Sequence, residues 1–196
     1  MSDAAAAGTD RYTRTAIVFH WIIAFLVLAN ISLAWTFKTW DDRWWTQGVT
    51  NTHKTIGITV LGLALMRLLW RIGHRPPPFS AAIPHWQVVA ARTGHVALYV
   101  IVLAMPTSGW IYDSAWEFAE AVPINVVGLF EMPRIAWVAD MAAEPKKVVD
   151  TIAGKVHVGL SYVLYFLVTV HLTAAAKHQW FDRVPTMQRM MFGRSR

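Results

Sequence analysis

Eight histidines are the residues in this 196-residue chain with the most chemistry to offer. Four of them, His20, His53, His157 and His171, fall within or at the shoulder of long apolar runs. Ionisable side chains inside membrane helices are rare, expensive and by default functional. His157 and His171 stand on one such run. Fourteen residues at 1.5 Å per residue separate them by about 21 Å along a helix. Fourteen steps of about 100° leave them only about 40° apart around it. They share a face and lie near opposite membrane surfaces, too far apart for one metal and well placed for two stacked redox groups.

Depth selects a partner for each. His171 lies six residues before Lys177 and His20 six residues after Arg14, so both sit at the same end. His157 opens the last run and His53 opens the second, so these two match at the other end. A neutral imidazole on each side closes both axial positions of a haem iron and favours electron transfer over oxygen binding. Arg67, fourteen residues after His53, reaches the depth of the inner group on nearly the same face and can meet its propionates. Lys54 and Lys155 are placed to do so for the outer group. His95 and His178 sit near the inner ends of the third and fourth runs. Either hydrogen bonding at the interface or protonation of a quinone head group would suit them, since histidine titrates near neutral pH. His95 is also an alternative to His20 as the inner ligand. His20 is preferred, because His95, three residues after Arg92, is expected about one turn too shallow.

The elements that must hold these histidines are membrane spans. A bilayer core of about 30 Å needs about 20 apolar helical residues. Runs over 16–35, 49–70, 93–112 and 156–176 meet that length, and residues 1–196 read as one four-span domain. Pro106 marks a kink in the third span, and no carboxylate is expected inside any span. The composition agrees: 55% of residues are hydrophobic and 15% charged, against about 25% charged in soluble domains. A soluble bundle is thereby set aside. The absence of cysteine excludes covalently attached c-type haem, iron–sulfur clusters and thiolate zinc sites. Without a carboxylate among the in-span histidines, a zinc site or carboxylate proton pump is a weaker reading.

Orientation follows from Lys and Arg. With four spans both termini share a side. That side holds eleven Lys/Arg against Asp3, Asp10 and Asp182, for +8, and the other side comes to −2. The termini and the RIGHRPPPF loop are expected in the cytoplasm, and the long 113–155 loop outside. Trp35, Trp40, Trp44, Trp45, Trp110 and Trp116 would then form an outer aromatic belt. The N-terminus lacks the layout of a cleaved secretory signal, so the first span is expected to be kept as an anchor. The net charge of +6 reflects this loop bias. Without an RNA-reading motif or lysine tract, nucleic acid is not an expected partner.

The segments RYTRTAIVFHW, NTHKTIGITVLGLALMRLLWR, ARTGHVALYVIVLAMPTSGW and KVHVGLSYVLYFLVTVHLTAAAKHQW resemble the prokaryotic cytochrome b561 family over nearly the whole chain. The resemblance implies an all-α, multi-pass inner-membrane bundle of four helices holding two b-type haems. It implies His20, His53, His157 and His171 as axial (iron-binding) ligands and electron exchange with ubiquinone at the cytoplasmic side. His95 and His178 match histidines at that end, at the quinone site. One branch of the family oxidises superoxide outside and passes the electron to quinone. The −2 external side departs from that pattern, because an anion is steered by a positive field. Lys146, Lys147 and Lys155 would have to supply one locally. The expected function is therefore a dihaem redox enzyme between an external one-electron donor, superoxide among the candidates, and the ubiquinone pool. The alternative is a non-enzymatic haem b relay or anchor subunit of a separate dehydrogenase or hydrogenase. A haem-free transporter is a third, weaker reading.

Overall fold

A computed structural model describes residues 11–36, 43–80 and 83–192, with side chains from Gln47 onward in the second of these stretches. Four long helices dominate: α1 (Arg14–Thr36), α2 (Arg43–Gly73), α3 (His85–Ala115) and, after a small outer subdomain, α5 (Ala143–Ala176). All four are long and apolar enough to cross a membrane. Large side chains such as Phe25, Leu69, Val100 and Phe166 point outward, where lipid is as apolar a neighbour as another helix.

Every long helix overruns the span expected from hydropathy. α3 starts at His85 rather than near residue 93, and α5 starts at Ala143 rather than near 156. The extra turns carry charges, which hydropathy counts against a span and which a helix continuing into water tolerates. The segment taken as a loop over 113–155 is thus irregular only between residues 116 and 142. Asp113 belongs to the last turn of α3 and is buried, one residue beyond the expected 93–112 span, and Glu144 and Asp150 lie in the turns of α5 that precede residue 156.

α1 packs on α2, α2 on α3, and α3 on α5. Ile23, Val60 and Ala64 form the seam between α1 and α2, joined by Leu26, Leu63 and, from α3, Val102 and Leu103. In lipid such seams are held by van der Waals fit, so small residues that let backbones approach matter most. Between α3 and α5 two glycines serve this end. A Cβ at Gly109 would meet His157 Cε1 at 3.0 Å, and one at Gly154 would meet Tyr112 Cε2 at 3.2 Å. Each helix offers a glycine and, three residues on, a ring that seats on the glycine of the other. The pairings fix the two helices as antiparallel and set their register.

The outer subdomain folds down onto the helix ends. It contains a hairpin of β1 (Asn125–Val126) and β2 (Phe130–Glu131) turning through Val127 and Gly128 at positive φ, and the short α4 (Ala136–Ala139). Thr55 donates to the Asn125 carbonyl, and the Ile135 amide donates to Ser114, a fully buried hydroxyl. At the opposite face the chain ends meet: Trp21 Nε1 donates to the Met190 carbonyl and Arg11 to the Gln188 carbonyl. Trp35 is exposed, Trp110 donates to the Pro133 carbonyl, and Trp116 lies beneath Lys54 at the outer end. Trp40 and the side chains of Trp44 and Trp45 lie outside the described residues, as do Arg194, Arg196, Asp3 and Asp10.

Candidate functional site

α5 presents its two histidines to two different neighbours. His157 and His53 of α2 have ring centroids 6.2 Å apart, and His171 and His20 of α1 also stand at 6.2 Å. α1 and α2 approach α5 chiefly through these rings and the Trp35–Tyr165 contact, because the backbone of α5 packs along α3. Each ring pair therefore joins helices whose backbones otherwise make little contact.

His95 of α3 stands 5.9 Å from His171. It lies fourteen residues before Gly109, and His171 lies fourteen after His157, so the glycine register sets the two level. The expectation that His95 sits a turn too shallow is corrected: α3 is already helical from His85, and depth counted from Arg92 misleads. The inner end thus gathers three imidazoles, with His171 between the other two. Arg67 and Arg71 stack beside them over Tyr99, each 5.4 Å from its ring. Among the described residues neither guanidinium has a carboxylate partner.

The outer pair is held from behind. His53 Nδ1 lies 3.3 Å from the Asn30 carbonyl of α1, and His157 Nδ1 lies 3.1 Å from the Met105 carbonyl of α3. A carbonyl only accepts, so both rings carry their proton on Nδ1 and keep Nε2 as the lone-pair nitrogen. Ser108 donates to the same Met105 carbonyl at 2.8 Å and lies 3.0 Å from His157 Nδ1. Pro106, inside α3, removes one amide from the backbone ladder beside this contact.

Lys54, next to His53 in the chain, is paired at this end. Its ammonium pairs with Asp113 at 2.6 Å, donates to the Val122 carbonyl at 2.9 Å and lies over Trp116. Lys155 is exposed on α5, and Lys146 is tied to the Ala139 carbonyl. His178 belongs to a separate inner cluster. It lies in a π-helical turn, Lys177–Phe181, that continues α5, a distortion frequent at functional sites. Its Nδ1 donates to Asp182 at 2.7 Å, and Lys177 binds the same carboxylate at 2.6 Å. That ammonium, and then His178, hold the Asp182 carboxyl below its usual range. The residues that sequence reasoning passed over are Asp113, Ser108, Gly109 and Asp182. Gly109 and Gly154 had a legible signal, a glycine three residues before a ring on two helices.

The donor set can be tested against an iron porphyrin. Two metal–imidazole bonds of about 2 Å, with about 1 Å from each nitrogen to its ring centre, place two rings about 6 Å apart across one metal. Both ring pairs meet that spacing, as does His95 with His171, so each end would offer one metal two imidazole donors. Among the described residues no group of three or more His, Asp or Glu is arranged to hold a bare ion. The residues present fit haem.

The chain resembles known proteins over nearly its whole length. The chain is 32% identical over 186 residues to cytochrome b561 homolog 2 of Escherichia coli, covering 93% of this chain and 92% of that one. It is 26% identical to cytochrome b561 homolog 1 of the same organism, covering 93% and 97%. It is 24% identical to the probable superoxide oxidase CybB of Yersinia pestis, covering 92% and 96%. Residues 11–193 match the prokaryotic cytochrome b561 family, and with four membrane-capable helices around paired imidazoles, this chain belongs to that family of membrane haem proteins.

Proposed function

We propose that the protein is a dihaem b-type cytochrome of the bacterial inner membrane that carries electrons from an external one-electron donor to ubiquinone at the cytoplasmic side. The observation that carries this reading is the pair of ring contacts at 6.2 Å, stacked along one face of α5. When bound, the two haems supply one-electron redox chemistry at two depths. The chain's own residues do the rest. His53 and His157 hold the outer group, and their Nδ1 contacts to backbone carbonyls leave Nε2 as the ligating nitrogen of each. His171 holds the inner group with His20 of α1. Arg67 and Arg71, lacking a carboxylate, are open to propionates. The outer donor meets a surface on which Lys54 is neutralised by Asp113, and among the described residues Lys147 and Lys155 are exposed cations there. Superoxide, suggested by the name of the Yersinia relative, is the first donor to try.

The inner end carries the proton chemistry. Quinone reduction takes up two protons, and His178, oriented by Asp182, is built to give one and be recharged from the cytoplasm. His178→Ala should slow reoxidation of the reduced protein by ubiquinone about 100-fold or more, with haem content unchanged. Asp182→Asn, which keeps the histidine and loses its orienting charge, should show a smaller slowing. Stopped-flow absorbance of the haem bands checks this, and an unchanged rate in both variants moves the quinone site elsewhere.

Orientation rests on the charge count of +8 against −2. The structure puts both described chain ends on one face. A reporter fused after Arg196 should therefore be active only if it works in the cytoplasm. Activity of a periplasm-dependent reporter there would exchange the inner and outer labels.

A further inference from the structure

The two imidazole pairs are not equivalent. At the outer end His157 Nδ1 meets both the Met105 carbonyl, at 3.1 Å, and Ser108 Oγ, at 3.0 Å. Ser108 is 8% exposed and gives its own proton to Met105. Its oxygen therefore turns a lone pair toward the histidine, and the Nδ1–H is shared between two acceptors. His53 has the Asn30 carbonyl behind it. At the inner end, among the described residues, the rings of His20, His95 and His171 make ring contacts and no hydrogen bond. Donation from Nδ1–H pushes electron density to Nε2 and makes the imidazole a stronger ligand. A stronger donor favours the oxidised iron, whereas a nearby uncompensated cation favours the reduced one. The inner end has Arg67 and Arg71, whose charge no carboxylate of the described residues cancels and which would offset the propionates there. The outer end has Lys54, cancelled by Asp113.

We infer that Ser108 is a positioning residue that, with the Met105 carbonyl, strengthens His157 as a ligand and sets the outer site at a lower reduction potential than the inner one. The inference rests on the two-site reading proposed above. Its consequence is direction: a single electron passes from the reduced outer site to the oxidised inner site downhill, with no bond made or broken. The donor outside supplies that electron, and the quinone inside removes two for each quinol formed, with two protons. The sequence gives little hint of this, because a serine in an apolar run reads as tolerated polarity.

Redox titration of the haem-loaded chain in detergent, followed by absorbance, tests the inference. Two one-electron waves are expected. The wave lost in His53→Ala is the outer one, and it should be the lower of the two. Ser108→Ala should raise that wave by about tenfold in the reduction equilibrium, or 59 mV for one electron, and leave the other unmoved. The low-spin ferric resonance of the outer site should shift in the same variant, and Ser108→Thr should restore both readouts. If Ser108→Ala loses the outer wave altogether, Ser108→Thr decides: a wave at the wild-type potential supports the role of the hydroxyl, and its loss overturns it. An outer wave above the inner one, or an outer wave unmoved by Ser108→Ala, overturns the assignment. Retention of both waves by His53→Ala overturns the two-site reading, and this inference with it.

Discussion

His157→Ala should leave the purified protein with half its haem, and His53→Ala should remove the same half. His171→Ala and His20→Ala should each remove the other half. The reason lies in the ring pairs. α5 runs close to α3, and its two histidines meet rings of α2 and α1. Each pair would hold one prosthetic group, and losing either imidazole would remove one of its two protein ligands. Pyridine-adduct absorbance counts haem per chain, and reduced-band shape tells which site remains. The decisive comparison is at the inner end, where His95 lies as near to His171 as His20 does. If His20→Ala keeps both haems and His95→Ala loses one, α3 replaces α1 as the source of the second inner ligand. The outer assignment would be untouched by that result.

Asp113→Ala should be the most destabilising single change outside the imidazole sites. Asp113 and Lys54 are only 7% and 11% exposed in their side chains, and they pair at 2.6 Å. Removing one partner leaves a buried charge uncompensated, which costs about 3–5 kcal/mol. The same ammonium also holds the Val122 carbonyl, so the outer subdomain should loosen with it. For a chain of this size each kcal/mol is worth about 2–4 °C in Tm, and a fall of roughly 10 °C is expected. Thermal unfolding in detergent, read by tryptophan fluorescence, measures it. Lys54→Met combined with Asp113→Leu should recover much of the loss, because no charge is then stranded. A single variant that melts with the wild type would mean that water or lipid headgroups already solvate Lys54.

The four spans were legible because twenty apolar residues in a row have few other homes. The in-span histidines were legible because burying them without purpose is costly. The spacing of fourteen on α5 pointed to two separate sites along that helix, and His157 and His171 do meet rings of two different helices. What escaped the sequence depends on partners rather than on residue type. The pairing of Lys54 with Asp113 was invisible because Asp113, fifty-nine positions away, has no periodic link to it. His95 looked shallow because hydropathy cannot see the charged turns with which α3 begins. The backbone carbonyls of Asn30 and Met105 have no sequence signature at all, since every residue carries one.

The interlocked glycines of α3 and α5 bear on how these helices can change over generations. Gly109 seats His157, and Gly154 seats Tyr112. Fourteen residues away on each helix, His95 and His171 stand opposite each other. The two segments behave as matched rulers read from a common zero. Deleting one residue between His95 and Gly109 would swing His95 by about 100° and draw it about 1.5 Å along the axis, while the glycine contacts stayed in place. A matching deletion between His157 and His171 would restore equal depth but turn that ring through about the same 100°, onto the opposite flank. Length changes in these helices should therefore fall outside the two fourteen-residue intervals that run from the glycine contacts to His95 and His171.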